Sequence, residues 1–148
     1  MVADVLEGWL AAWNSHDGSR LAELMADDGV YEVLATSRVL HSRESVARFV
    51  ATRDSFSSDF SVKYVSTLRE GDRYATEWEM VGTADRPIGG WPATGKTWTI
   101  RGASLGLSRQ GKIKEHREYW DLAAVVTQMG APLSAEVDWI LSQMSEGA

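Results

Sequence analysis

Tyr74-Ala75-Thr76-Glu77-Trp78-Glu79-Met80-Val81 alternates without a break. Tyr74, Thr76, Trp78 and Met80 fall on one side, Ala75, Glu77, Glu79 and Val81 on the other, which is the period of a strand with one covered face. If Trp78 faces in, the paired carboxylates of Glu77 and Glu79 belong to the solvent side. Upstream, Glu70-Gly71-Asp72 reads as a hairpin turn, preceded by a strand whose Phe60, Val62 and Tyr64 share a face. Downstream, a loop rich in Gly and Pro runs from Asp85 to Lys96. A third long strand is expected over Thr97–Leu107, a turn over Arg109-Gln110-Gly111-Lys112, and a fourth strand over Ile113–Trp120.

The flanks have helical spacing instead. Val5, Leu6, Trp9, Leu10 and Trp13 define a first helix that should stop before Asp17-Gly18. Asp17 or Ser19 caps a short second one carrying Leu21, Leu24 and Met25. Asp27-Asp28-Gly29 reads as a turn into a first strand, Val30–Leu34. Ser42 is placed to cap a third helix with Val46, Phe49 and Val50 on one face. Leu122, Val125, Val126 and Met129 form a fourth, ended by Gly130 and Pro132. Val137, Ile140, Leu141 and Met144 repeat the pattern after Ser134, as a C-terminal helical extension over 131–148.

This order predicts an α+β fold with a mostly antiparallel sheet rather than a βαβ nucleotide-binding fold. Gly102 and Gly106 inside a strand suggest bulges or bends in a strongly curved sheet. Such a sheet closed by helices makes a cone-shaped barrel with one mouth, which is a pocket.

The 148 residues suit a single domain spanning 1–148, long enough to hide about 68–70% of the unfolded chain's surface. A net charge of −6 argues against nucleic acid as a partner. The absence of cysteine excludes disulfides, thiolate metal sites and a cysteine nucleophile. Three scattered histidines lack metal-ligand spacing, so no metal is expected. No basic-then-apolar leader and no long apolar run is read, so a cytoplasmic protein without membrane contact is expected. Seven Trp suit either a core or a pocket for a flat, largely apolar or aromatic small molecule.

Trp91-Pro92-Ala93-Thr94-Gly95-Lys96, Ile100-Arg101-Gly102, Gly111-Lys112-Ile113-Lys114-Glu115-His116, Tyr119-Trp120-Asp121 and Gln128-Met129-Gly130, with Trp13-Asn14-Ser15-His16-Asp17 before them, stand in a telling order. The chain resembles the SnoaL-like polyketide cyclases, a branch of the NTF2-like superfamily of cone-shaped α+β barrels, over residues 4–131. The resemblance implies a cofactor-free enzyme that closes a ring in a polyketide or related intermediate by aldol condensation, one aspartate serving as general acid and base. The matching residue is Asp121. It also implies a homodimer or higher homo-oligomer.

Asp121 has a second reading, as N-cap of the helix that starts at Leu122. His116 lies five residues before it, an odd spacing that puts the two on opposite strand faces, with Arg117 and Tyr119 on the side of Asp121. Arg101 lies on the neighbouring strand and is a candidate to orient a carboxylate or polarise a carbonyl. The epoxide-hydrolase relatives place an acid two residues beyond such an arginine, where this chain has Ala103. Tyr31, Trp78, Met80, Trp98 and Tyr119 are pocket candidates on the strands, and Trp91 one in the loop at the mouth. Three functions stay open: aldol cyclase; epoxide-opening cyclase or hydrolase, dehydratase or isomerase; and a non-catalytic binding barrel.

Overall fold

In the computed structural model, which describes residues 2–87 and 92–130, the alternating stretch is the strand next to one edge of a curved six-stranded sheet. Helix α1 (Val2–Ser15) places Val5, Leu6, Trp9, Ala12 and Trp13 in the core and ends at His16, whose φ of 60° breaks the helical path. Helix α2 (Gly18–Glu23) follows, with Asp17 accepting from the Ser19 amide at 3.0 Å. Strand β1 (Met25–Val33), a 3-10 turn (Leu34–Thr36) and a short β2 (Arg38–Leu40) come next. Helix α3 (Arg43–Asp54) is capped by Ser42 in a reciprocal box with Ser45, and buries Val46, Phe49, Val50 and Arg53.

Strands β3 (Ser61–Glu70), β4 (Arg73–Thr83), β5 (Thr97–Arg109) and β6 (Lys112–Trp120) form a meander, and α4 (Leu122–Met129) follows. Its hairpins turn where the sequence places them. Gly71 has φ 57°, and Gln110 and Gly111 have φ 53° and 75°, the positive pair of a tight turn. The strand order is β2-β1-β6-β5-β4-β3, antiparallel throughout except for β1 against β6, which run parallel. The α+β class and the curved, mostly antiparallel sheet are as the pattern predicts.

Several local expectations change. Met25 belongs to β1 rather than α2, and the Asp27-Asp28-Gly29 turn lies inside β1, across the register shift between Met25 and Val30. A parallel partner supplied from the far end of the chain overrides the local turn signal, with the Ile113 amide donating to the Leu24 carbonyl at 2.7 Å. Strand β2, three residues long, carries no pattern in the sequence. The β5–β6 register shift falls between Leu107 and Ser108, next to Gly106, whereas Gly102 stands in unbroken register with both neighbouring strands. What the two glycines provide is room. A Cβ on Gly102 would overlap the Trp78 ring, and one on Gly106 the Tyr74 ring. The proposed helix over 134–144 and Trp91 lie outside the described residues.

The sheet's concave face and the helices enclose one core. Tyr74, Thr76, Trp78 and Met80 are all buried there, with Trp98, Ile100, Tyr31 and Val33, while Trp9 and Trp13 pack down from α1. Among the described residues no helix is long and apolar enough to cross a membrane.

Candidate active site

Three cross-strand rows on the concave face carry the polar groups. Antiparallel or parallel, residues directly opposite each other project to the same side. Tyr31, His116, Gly106 and Tyr74 form one row across β1, β6, β5 and β4. The next contains Val33, Glu118, Ser104 and Thr76, and the third Trp120, Gly102 and Trp78. Because Gly106 has no side chain, the Tyr74 ring lies across it and its hydroxyl meets His116 Nδ1 at 2.8 Å, two strands away.

Glu118 is the centre of this arrangement. It is only 2% exposed, and the Tyr31 hydroxyl donates to its Oε1 in a short hydrogen bond. Trp9 Nε1 donates in turn to the Tyr31 oxygen at 3.0 Å. His116, also 2% exposed, stands against the Tyr31 ring with 4.5 Å between centroids, and its Nε2 is 3.8 Å from Glu118 Oε1 without a hydrogen-bond partner. In the tautomer whose Nδ1 accepts from Tyr74, Nε2–H faces the carboxylate. Burial, reinforced by the negative Glu118, pushes the Tyr31 phenol well above its ordinary pKa, and burial does the same for Tyr74. Both therefore stay neutral donors at physiological pH. Trp78 Nε1 donates to Ser104 Oγ at 2.9 Å, closing the polar floor.

The residues singled out from the sequence divide between the two faces. His116, Tyr31, Trp78, Met80 and Trp98 lie inside, all nearly inaccessible. Asp121 is exposed and caps α4, its Oδ1 accepting from the Ala124 amide at 3.0 Å, so the structure realises its helix-capping reading. Arg101 is not in the interior. It lies on the outer face, bound to Glu77 Oε1 at 2.6 Å, because odd-numbered positions of β5 point outward. Tyr119 is likewise a correction: one residue out of phase with Glu118, it is 43% exposed on the outer face. Glu79 pairs there with Lys63. His16 is structural, stacked on Phe60 at 3.7 Å and bound to Asp54.

Glu118, Tyr74, Trp9 and Ser104 were missed as site residues. The signal for Glu118 was available in its even spacing from His116 and Trp120, which gives all three one face. A cleft of about 520 Å3 lined by Leu68, Arg73, Leu105 and Arg117 meets this network at Tyr74 and Gly106. A smaller cavity of about 10 Å3 lies beside Phe49, Arg53, Phe56 and Trp120, at the α3 side of the interior.

The pattern of the family described as SnoaL-like polyketide cyclase matches residues 3–129. The chain belongs to that family. Among solved structures, SnoaL-like relatives share its fold. IdmH from Streptomyces antibioticus, a proposed polyketide cyclase, is 25% identical with a TM-score of 0.77, covering 88% of this chain and 99% of its own. A protein of ketosteroid isomerase-like fold from Catenulispora acidiphila, solved with trimethylamine, is 24% identical with a TM-score of 0.76, covering 90% and 98%. AclR from Streptomyces galilaeus, a proposed hydroxylase, is 20% identical with a TM-score of 0.75, covering 88% and 98%. No curated protein matches at a significant level.

Proposed function

We propose that this SnoaL-like chain is a cofactor-independent cyclase that closes a ring in a polyketide-derived intermediate, with Glu118 rather than Asp121 as the acid–base carboxylate. One observation carries the reading. A carboxylate withdrawn from water is held by a neutral tyrosine and faces an unpartnered histidine nitrogen, within the concave interior that the fold builds. Asp121 is exposed and already occupied by the start of α4.

The chemistry requires little else. Glu118 takes the proton from a carbon flanked by carbonyl groups. The resulting enolate carbon attacks a second carbonyl of the same molecule, forming the new C–C bond. The oxygen of that carbonyl then recovers the proton from Glu118, so nothing is gained or lost overall. Tyr31 fixes the carboxylate's rotamer, and His116 supplies the nearest N–H or lone pair for the substrate oxygens, according to its tautomer. General acid–base catalysis of this kind is worth roughly 10²–10⁴ in rate.

The test uses tricyclic anthraquinones bearing an aldol-competent side chain. Cyclisation is detected as a chromatographic shift at constant mass. Glu118→Gln is expected to lower turnover by about 10²–10⁴-fold, whereas Asp121→Asn keeps it, since Asn also caps helices well. The reverse pattern returns the role to Asp121. Binding without conversion by the unaltered protein favours a binding barrel.

A further inference from the structure

Arg53 stands in the last turn of α3 with its side chain turned into the interior, and it is 5% exposed. A guanidinium in such a place is normally forked onto a carboxylate, because burying an unpaired charge is costly. Arg53 has no ion pair within 4.0 Å among the described residues, and its Nε and Nη1 meet no hydrogen-bond partner. Instead it is boxed by aromatic rings, with its central carbon 5.1 Å from the Trp120 ring, 5.6 Å from Phe56 and 5.8 Å from Trp98. Two of those rings carry orphans of their own, Trp98 Nε1 and Trp120 Nε1, and the hydroxyl of Thr36 is a third. Thr36, Arg53 and Trp120 line the same small cavity, which has room for about one oxygen-sized group.

Four donor nitrogens without an acceptor, those of Arg53 and Trp120 on this cavity and that of Trp98 on a ring against the guanidinium, describe a ligand by its complement. It must bring acceptor oxygen, it gains from negative charge, and it must be flat enough to lie among the rings. Glu118 and Tyr31 are the charged or titratable neighbours that act on Arg53. They partly offset a desolvation that lowers its pKa to about 10, so it remains a cation at neutral pH. A base and a cation thus share one interior without neutralising each other.

We propose that Arg53, within its box of Phe56, Trp98 and Trp120, receives an ionised oxygen of the substrate, so that the preferred substrates are planar aromatic acids or strongly acidic enols rather than neutral ketones. This rests on the assignment of the interior as the reaction site. It adds the substrate class and a binding residue that Glu118 does not supply.

The test compares anthraquinone-2-carboxylate with anthraquinone-2-carboxamide by tryptophan quenching in the unaltered protein, Arg53→Met and Arg53→Lys. The carboxylate is expected to bind at least about tenfold more tightly than the amide, a preference that Arg53→Met reduces to under about twofold. Removing the unpaired charge is also expected to raise Tm by about 3–8 °C, whereas a purely structural arginine would give a fall. Should the methionine variant not fold, the lysine variant decides, because it keeps the charge without the planar fork: a weakened preference supports the assignment and an unchanged one overturns it. No preference in the unaltered protein, no binding of either compound, or a preference that survives in Arg53→Met also overturns it. Glu118→Gln is expected to lower turnover by about 10²–10⁴-fold while leaving the carboxylate preference in place, so the acid–base reading and the Arg53 reading fail separately.

Discussion

Replacing Tyr31 with Phe removes one oxygen and breaks two buried hydrogen bonds. The ring stays, still edge-on to Phe49 at 5.8 Å and against His116 at 4.5 Å, so packing is nearly unchanged. What is lost is the acceptor for Trp9 Nε1 and the donor to Glu118, both on residues only 2% exposed. Leaving a buried polar group unpaired costs about 1–3 kcal/mol, and more when the group is charged. The two together give an expected loss of about 2–5 kcal/mol. At about 2–4 °C per kcal/mol for a chain near this size, Tm falls by roughly 4–20 °C. Thermal and urea unfolding followed by circular dichroism measure this directly. Glu118→Leu should also destabilise, yet the double variant should be less unstable than the sum by about 1–3 kcal/mol, because removing both partners leaves fewer orphaned groups. A Tyr31→Phe protein melting within a degree of the unaltered one would refute the idea that this tyrosine holds the carboxylate. Additive losses in the double variant would refute their coupling.

Two other outcomes follow from the same rows. Gly106→Ala is expected to cost about 2–4 kcal/mol, since its methyl would occupy the space of the Tyr74 ring and push the hydroxyl off His116; Tyr74→Leu in the same chain should recover part of the loss, as urea midpoints would show. Burial raises the pKa of Tyr31, Tyr64 and Tyr74 above the ordinary 10.0. The fold therefore favours their neutral forms, a contribution whole below pH 10 and lost as the pH climbs above it. Phenolate absorbance from these three should appear in one cooperative step with unfolding, and gradual titration in a chain that stays folded would contradict their burial.

The elements legible in the sequence were those set by neighbours in the chain. Hairpin turns, the Ser42 and Asp121 caps and the inward phase of Tyr74–Met80 depend on residues a few positions apart, and all are as read. Strand β2 is only three residues long, too short to show a period, although its partner β1 is close by in the chain. The first half of β1 depends on β6, far along the chain, and a local signal such as Asp27-Asp28-Gly29 points the other way. The site is a different case. Family likeness points to Asp121 and strand pairing to Arg101, and the structure has one capping a helix and the other on the outer face of β5. Glu118, between Arg117 and Tyr119, is not singled out by the sequence, and only the phase of His116 and Trp120 argues for its inward face. Arg53 gave no signal, because among the apolar positions of α3 a lone arginine usually reaches for water.

The parallel seam between β1 and β6 also has a consequence for how the protein comes into being. Tyr31 and Glu118 are 87 residues apart, and their contact exists only when the last strand has docked beside the first. The meander of β3 to β6 can zip locally, but a long-range pairing of this kind closes late, against a large loop entropy. A nascent chain that stops before Lys112 has α1 to α3 and every strand but β6, yet lacks both the carboxylate and the histidine. Whatever chemistry the interior performs is therefore withheld from partly made protein and switched on by completion of the fold itself.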